Sequence, residues 1–175
     1  MMAQLQKYVY KIMMIGDAAV GKTTLALRFS GLPFQESYKF TMGVDLIVKS
    51  FYINNRNVVL EIWDCGGQPQ FKEARSIYYR KTAGILLCFD LANRESFEHL
   101  PDWLEEIKSY GGSPHIILVG TKADLRDKRD VELREIEEFS KKLGVKYIET
   151  SSKEGLNINK PFEELAKELL KEELS

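Results

Sequence analysis

No run in this sequence approaches the roughly 18 consecutive apolar residues that a membrane-spanning helix needs. Its densest apolar runs, "GILLCFD" (84–90) and "HIILVGT" (115–121), are strand-sized. Charge of one sign is not in excess either. Lys and Arg number 25 against 26 Asp and Glu, a formal net charge of −1, so nothing points to nucleic acid or to an anionic membrane. Cysteine is scarce: Cys65 and Cys88 both lie in apolar segments and read as reduced, buried thiols rather than a disulfide or a metal pair. The opening "MMAQLQKYVY" lacks the basic-then-apolar order of a signal peptide. Met2 stands where myristoylation needs glycine, and "KEELS" carries no cysteine for a prenyl group. The expectation is a cytoplasmic protein with no lipid anchor in this chain. No repeat, low-complexity tract or linker interrupts it, so one domain over 1–175 is expected, large enough to bury about 70% of its unfolded surface.

What is present is an alternation of strand and helix patterns. "YVYKIMMI" (8–15) is β-rich and ends at Gly16; "GKTTLALRFSG" reads as a helix closed by Gly31. "DLIVKSFYI" and "VVLEIWD" flank the turn signal "NNRN" and predict an antiparallel hairpin. The runs 84–90 and 115–121 suit strands buried on both faces, and "VKYIET" (145–150) is a sixth strand. Helical spacing of apolar residues predicts helices over about 94–110, 131–143 and 160–173. This order implies an α/β fold with a mostly parallel sheet, in which ligands bind at the carboxyl ends of strands.

Those ends carry the motifs. After the first strand comes Gly16-x4-Gly21-Lys22-Thr23, the P-loop pattern. Its glycines let backbone N–H groups turn toward phosphate oxygens, and the following helix points its positive end at the same place. Lys22 can neutralise β- and γ-phosphate charge, and the Thr23 hydroxyl can ligate Mg²⁺. A chain of this length matches the pattern by chance on the order of once in a hundred or fewer. After the third strand comes "WDCGGQPQF" (63–71), where Asp64 can hold Mg²⁺, Gly67 can bring a bare N–H to a γ-phosphate and Gln68 can orient a water. Alone, D-x-x-G is a common turn; one hairpin after a P-loop it favours the phosphate reading. After the fifth strand, in "GTKADL" (120–125), Asp124 can accept from the guanine N1–H and amine, a donor pair adenine lacks, and the Lys122 stem can cover the base face. After the sixth, "TSSKEG" (150–155) can bring the N–H groups of Ser152 and Lys153 to the guanine O6. Each of these last two loops alone reads as an ordinary capped turn.

In this order and spacing the four loops resemble the Ras superfamily of small GTPases, over about residues 8–172. "TMGVD", "EIWD", "YYR" (78–80) and "FDLANRESFEHLPDWLEEI" resemble the Rab branch, while "DAA…GKTT" and "GGQ" (66–68) are similar to Arf sequences. The resemblance implies a three-layer P-loop NTPase fold, a Ras-like G domain. Its six-stranded, mostly parallel sheet has one antiparallel edge strand, order 2-3-1-4-5-6, with five helices. It implies a regulatory switch that cycles between GTP and GDP with Mg²⁺ and slowly hydrolyses GTP. The implied nucleotide contacts are Gly16, Ala19, Val20, Gly21, Lys22, Thr23, Thr24, Phe34, Tyr38, Thr41, Gly67, Thr121, Lys122, Asp124, Leu125, Ser151, Ser152 and Lys153. Among them Phe34 matches the aromatic against the guanine and Tyr38 the tyrosine that covers the phosphates. Thr23, Thr41 and Asp64 are the implied metal set, and Gln68 and Lys22 the catalytic pair. Effectors, exchange factors and activators would bind through switch I (33–45) and switch II (64–80). The protein would be a monomer that meets membranes only through partners.

Departures from the family pattern stand out. Leu46 replaces the usual Phe beside Trp63 and Tyr78 in a Rab effector patch, Thr121 replaces Asn as in Rho-type relatives, and Ser152 replaces Ala. Ala18 and Ala19 stand where Gly or Ser is usual. Pro69 follows Gln68 and is expected to stiffen the loop there. Arg75 and Arg80 are expected to point away from the nucleotide. Two other readings stay open. A P-loop kinase or ATPase is opposed by Asp124 and "SSK". A pseudo-GTPase locked in one state is opposed by Lys22, Thr23, Thr41, Asp64 and Gln68.

Overall fold

The computed structural model describes residues 6–36, 41–110 and 112–175. Six strands form one sheet: β1 (Lys7–Ile15), β2 (Val44–Ile53), β3 (Arg56–Cys65), β4 (Gly84–Asp90), β5 (His115–Thr121) and β6 (Lys146–Glu149). Their order is β2-β3-β1-β4-β5-β6, the order the resemblance implied, and only the β2–β3 pair is antiparallel. That pair closes through Asn54 and Asn55, both at positive φ (49° and 62°), as a two-residue turn matching the right-handed twist of the strands requires.

Period-2 alternation sorts the strand side chains to two faces. Tyr8, Tyr10, Ile12 and Met14 of β1, with Leu86 and Cys88 of β4, join one core; Met13, Ile15, Ile85, Leu87 and Phe89 join the other. The first core is covered by α1 (Lys22–Ser30) and by the C-terminal helix Lys160–Glu173 through Leu25, Phe29, Phe162 and Leu165. β4 is buried at all seven positions, as its continuous apolar run predicts.

Among the described residues five helices flank the sheet. The second, α2 (Lys72–Ser76), is one short turn that periodicity did not signal. The third, α3, runs in two pieces, Arg94–Glu98 and Leu100–Tyr110. It breaks at His99 because Pro101 has no N–H to offer the preceding turn. α4 (Leu133–Leu143) begins two residues later than predicted. Val131 belongs to the core, and Glu132 makes the capping box with Glu135. α5 is the C-terminal helix, Lys160–Glu173. α3 and α4 cover the second core through Leu100, Trp103, Ile107 and Ile136.

Cys65 and Cys88 are free and buried, and burial pushes both thiols up to about 12, so neither is a reactive thiolate. Among the described residues no helix is long and apolar enough to cross a membrane.

Candidate functional site

The carboxyl ends of β1, β3, β5 and β6 open onto one cleft of about 470 Å³. Its floor is the turn from β1 into α1. At Gly16 (φ +140°) an added Cβ would lie 2.0 Å from the Cys88 carbonyl oxygen, so only glycine lets the chain leave β1 under β4. Gly21 caps α1, and Lys22, 5% exposed, folds back so that its Nζ donates to the carbonyls of Gly16 (2.8 Å) and Asp17 (2.6 Å). Burial pulls the Lys22 ammonium below the ordinary lysine range, against the pull of Asp64.

Asp64 ends β3 fully buried. Its Oδ2 accepts from Thr23 (2.5 Å) and Thr41 (3.2 Å), whose hydroxyls are 2.6 Å apart. Its Oδ1 is buried without a partner among the described residues. Burial raises the Asp64 carboxyl above the usual range. Lys22 and Asp64 are thus each penalised for their charge, and an added anion beside the one and a cation beside the other would relieve both. Two hydroxyls and one carboxylate with an open oxygen are hard donors that fit Mg²⁺. The ion favours few protein ligands, with water and phosphate completing its shell. No cluster of three or more His, Cys, Asp and Glu is present among the described residues.

The segment expected as switch II lies directly on the P-loop at Gly67. A Cβ at Gly67 would come within 2.4 Å of Ala18 N, Asp17 C and Gly16 O, so a side chain there would push the two apart. Gln68 lines the cleft. Its backbone (φ −67°, ψ 142°) is in the extended region to which a residue before proline is confined, and Pro69 begins a short 3₁₀ turn where an N–H would have no partner. Arg75 is kept out of the cleft lining, as expected, yet it is not on an outer face. It is 3% exposed and paired with Glu106, and it donates to the carbonyls of Gly66 and Gln68.

The opposite end of the cleft suits a base. Thr121 donates to the carbonyl of Val20 and to that of Phe89 (3.0 Å), stitching this end to the P-loop. Lys122 lies across it, its Nζ 2.8 Å from the Ala19 carbonyl and 2.7 Å from Asp90 Oδ2. Asp124 is oriented by the Ser151 hydroxyl (2.6 Å), and the Ser152 carbonyl is held by Arg28 (3.0 Å).

Most of the predicted contacts therefore line one cleft: Ala19, Gly21, Lys22, Thr23, Thr24, Phe34, Thr41, Gly67, Gln68, Thr121, Lys122, Asp124, Leu125, Ser152 and Lys153. Gly16, Val20, Asp64 and Ser151 are behind it, acting through the bonds and close approaches above. Tyr38 lies outside the described residues. Gln35, Glu36, Cys65 and Gly66 line the cleft without having been predicted as contacts; Cys65 and Gly66 lie within the "WDCGGQPQF" stretch, and no motif marked Gln35 or Glu36. Beyond the cleft, Trp63 and Tyr78 rings meet at 5.0 Å, with half-exposed Leu46 directly opposite Trp63 in the β2–β3 register.

A family model described as the Ras family matches residues 11–171. Ras-related protein Rab-30 of Homo sapiens is 42% identical over 166 residues, covering 94% of this chain and 82% of that protein. The GTP-binding protein ypt1 of Schizosaccharomyces pombe is 37% identical over 163 residues, covering 93% of this chain and 80% of its own length.

Proposed function

The chain belongs to the Ras family and is a small GTPase of the Rab type, and from that membership we propose that a single G domain over 1–175 runs its GTP/GDP cycle in the cleft described above. The observation that carries this assignment is the convergence of Thr23, Thr41 and Asp64 at the end of the P-loop, three oxygen donors brought together from three separate segments. They would hold Mg²⁺, which supplies positive charge to the phosphate oxygens when bound.

Asp124, with its rotamer fixed by Ser151, selects guanine; Lys122 and Phe34 flank the base, and the Ser152 and Lys153 N–H groups meet its O6. Val20, Thr24, Thr121 and Leu125 complete the pocket, and the family resemblance assigns Tyr38 the cover over the phosphates. Lys22 and the P-loop N–H groups from Ala19 to Thr23 stabilise charge on the β- and γ-phosphates. Gln68 orients a water against the γ-phosphorus. The water oxygen forms the new bond, the bond from phosphorus to the β–γ bridging oxygen breaks, and the water's proton leaves with inorganic phosphate. Loss of the γ-phosphate removes what Thr41 and Gly67 hold, and both switches relax. Cytoplasmic effectors, exchange factors and activators read that change through 33–45 and 64–80, with Trp63, Tyr78 and Leu46 in the contact patch.

The test is the nucleotide that co-purifies with the protein, its displacement by GTP against ATP, and its turnover with Mg²⁺. Guanine nucleotide resisting a 100-fold excess of ATP, with release of phosphate, is expected. ATP competing as well as GTP would move the protein to the kinase or ATPase reading.

A further inference from the structure

Switch II and the P-loop touch at Gly67, and they are also joined by a route through α3. The indole Nε1 of Trp103 donates to Asp17 Oδ1 at 2.7 Å, and His99 Nδ1 lies 2.6 Å from Asp17 Oδ2. The Asp17 carbonyl in turn accepts from Lys22 Nζ. On the other side of the ring, the Arg75 guanidinium carbon lies 4.5 Å from the Trp103 centroid. Four of the five Arg75 N–H groups are engaged. Nε and Nη2 hold the two Glu106 oxygens (2.6 and 2.8 Å), and Nη1 donates to the carbonyls of Gly66 (3.3 Å) and Gln68 (3.1 Å). Tyr79 donates to Glu106 from behind (2.9 Å). Trp103 is 7% exposed and Arg75 3%. The indole edge therefore fixes the P-loop segment that anchors Lys22, and its face fixes the cation that holds the backbone of Gln68.

We propose that Trp103 is a positioning residue that couples Asp17 of the P-loop to Arg75 of switch II, and so sets Gln68 against the phosphate site. The inference rests on the assignment of Gln68 and Lys22 given above. None of the three coupling residues lines the cleft, so they act on how the reacting groups are held rather than on nucleotide contact. Arg75 is suited to this because a planar fork can hold a carboxylate and two carbonyls at once, which an ammonium cannot. The aromatic face adds attraction for a desolvated guanidinium.

The test is single-turnover GTP hydrolysis, with GTP and GDP affinities measured in parallel, for wild type, Asp17→Ala, Arg75→Lys, Trp103→Phe and their pairs. Trp103→Phe keeps a ring under Arg75 and removes the N–H donor. Each single variant is expected to slow hydrolysis about 10-fold, since small misplacement of reacting groups costs up to about 100-fold. Nucleotide affinity should stay within about 3-fold. Asp17→Ala should add almost nothing in the Trp103→Phe background, and Asp17→Ala with Arg75→Lys should fall well short of the product of the singles. Multiplying effects would overturn the coupling, as would a loss of affinity that tracks the loss of rate. As a second readout that needs no change at Trp103, its indole ¹⁵N–¹H signal should move in both Asp17→Ala and Arg75→Lys; a signal that Arg75→Lys leaves in place overturns the proposal. Wild-type protein that neither binds nor turns over GTP would sink the underlying assignment instead, whereas normal wild-type turnover with an unaltered Trp103→Phe rate sinks this inference alone.

Discussion

Ser151, fully buried, donates its hydroxyl to Asp124 Oδ1 across 2.6 Å, while its oxygen accepts from the Glu154 N–H at 3.0 Å. The hydroxyl proton is thereby committed to the carboxylate, and Asp124 faces the cleft in one orientation before any base arrives. A site built around such a fixed acceptor rejects a base that cannot donate to it. Asp124→Asn should lose GTP affinity sharply and gain affinity for xanthosine triphosphate, whose base accepts where guanine donates. Ser151→Ala should cost about 1.5–3 kcal/mol of GTP affinity, the range for a hydrogen bond to a charged group. Competition binding with the two nucleotides checks both, and unchanged GTP affinity in Asp124→Asn would remove the base-site assignment.

A second expectation concerns stability. Buried Lys22 and Asp64 face each other with both ionised forms disfavoured by burial, so the nucleotide-free protein carries a cost that ligand relieves. Stripping Mg²⁺ and nucleotide with chelator should lower the melting temperature. At 100 times Kd, GDP with Mg²⁺ should restore about 2.7 kcal/mol. A melt indifferent to added nucleotide and metal would contradict this.

Local pattern and spacing explain why most of the site was legible. The P-loop, Gln68 and Asp124 come just after a strand and Asp64 sits at the end of β3, where the close of an apolar or alternating run marks the boundary. The contacts that hold those residues were not legible, because they join distant parts of the chain. Asp17 meets His99 and Trp103 across 82 and 86 positions, and no motif pairs them. Arg75 was read from the family pattern as pointing away from the nucleotide, and it does stay out of the cleft lining, but its burial was not legible. It is buried because Glu106 and two backbone carbonyls give its fork enough acceptors. α2, at five residues, is too short for helical periodicity to register.

Thr41 should matter to the GTP state alone. Its hydroxyl meets Thr23 and Asp64, and two residues on, the Gly43 carbonyl accepts from Gly66 N–H at 2.8 Å, tying switch I to switch II. Thr41→Ala should leave GDP affinity within about 3-fold, a ~0.6 kcal/mol effect at most. In the GTP-analogue state the Gly66 amide should exchange faster. Equal protection in mutant and wild type would count against the switch I assignment.

His99 gives the fold a pH dependence of definite sign. Its hydrogen bond to Asp17 raises the imidazole above its ordinary value, opposed by some desolvation, with Glu95 and Asp102 as further nearby anions. The native state therefore binds this proton more tightly than the unfolded chain. The resulting stabilisation is complete below about pH 6.5, the unfolded value, and is lost as pH rises through the raised native value. The effect should be small, because the ring is 41% exposed and water screens it. Urea midpoints at pH 6 and pH 9 should differ more for wild type than for His99→Gln, which keeps a donor but does not titrate. An identical difference in the two proteins would show that the ring carries none of the pH dependence.

The rate of unassisted hydrolysis follows from where the cations are. A GTPase that carries its own arginine for the leaving group turns over near ~10⁻² per second, against roughly 10⁻⁴ without one. Switch I, 33–45, contains no arginine, and its one cation is Lys39, a point charge without a planar fork. Arg75 is the arginine nearest Gln68 in sequence, and its fork is committed to Glu106, Gly66 and Gln68 carbonyls. Freeing it would strand a buried carboxylate, a cost of about 3–5 kcal/mol. Arg75 therefore cannot serve as the missing finger, and intrinsic hydrolysis should lie near the lower figure, with an external activator supplying the difference. Gln68→Leu should slow it further while GTP affinity holds, since its backbone partner is untouched and only the water-orienting amide is gone. Single-turnover phosphate release by the pure protein measures the rate; a value at or above the self-supplied figure would mean that a cis group outside these residues stabilises the transition state.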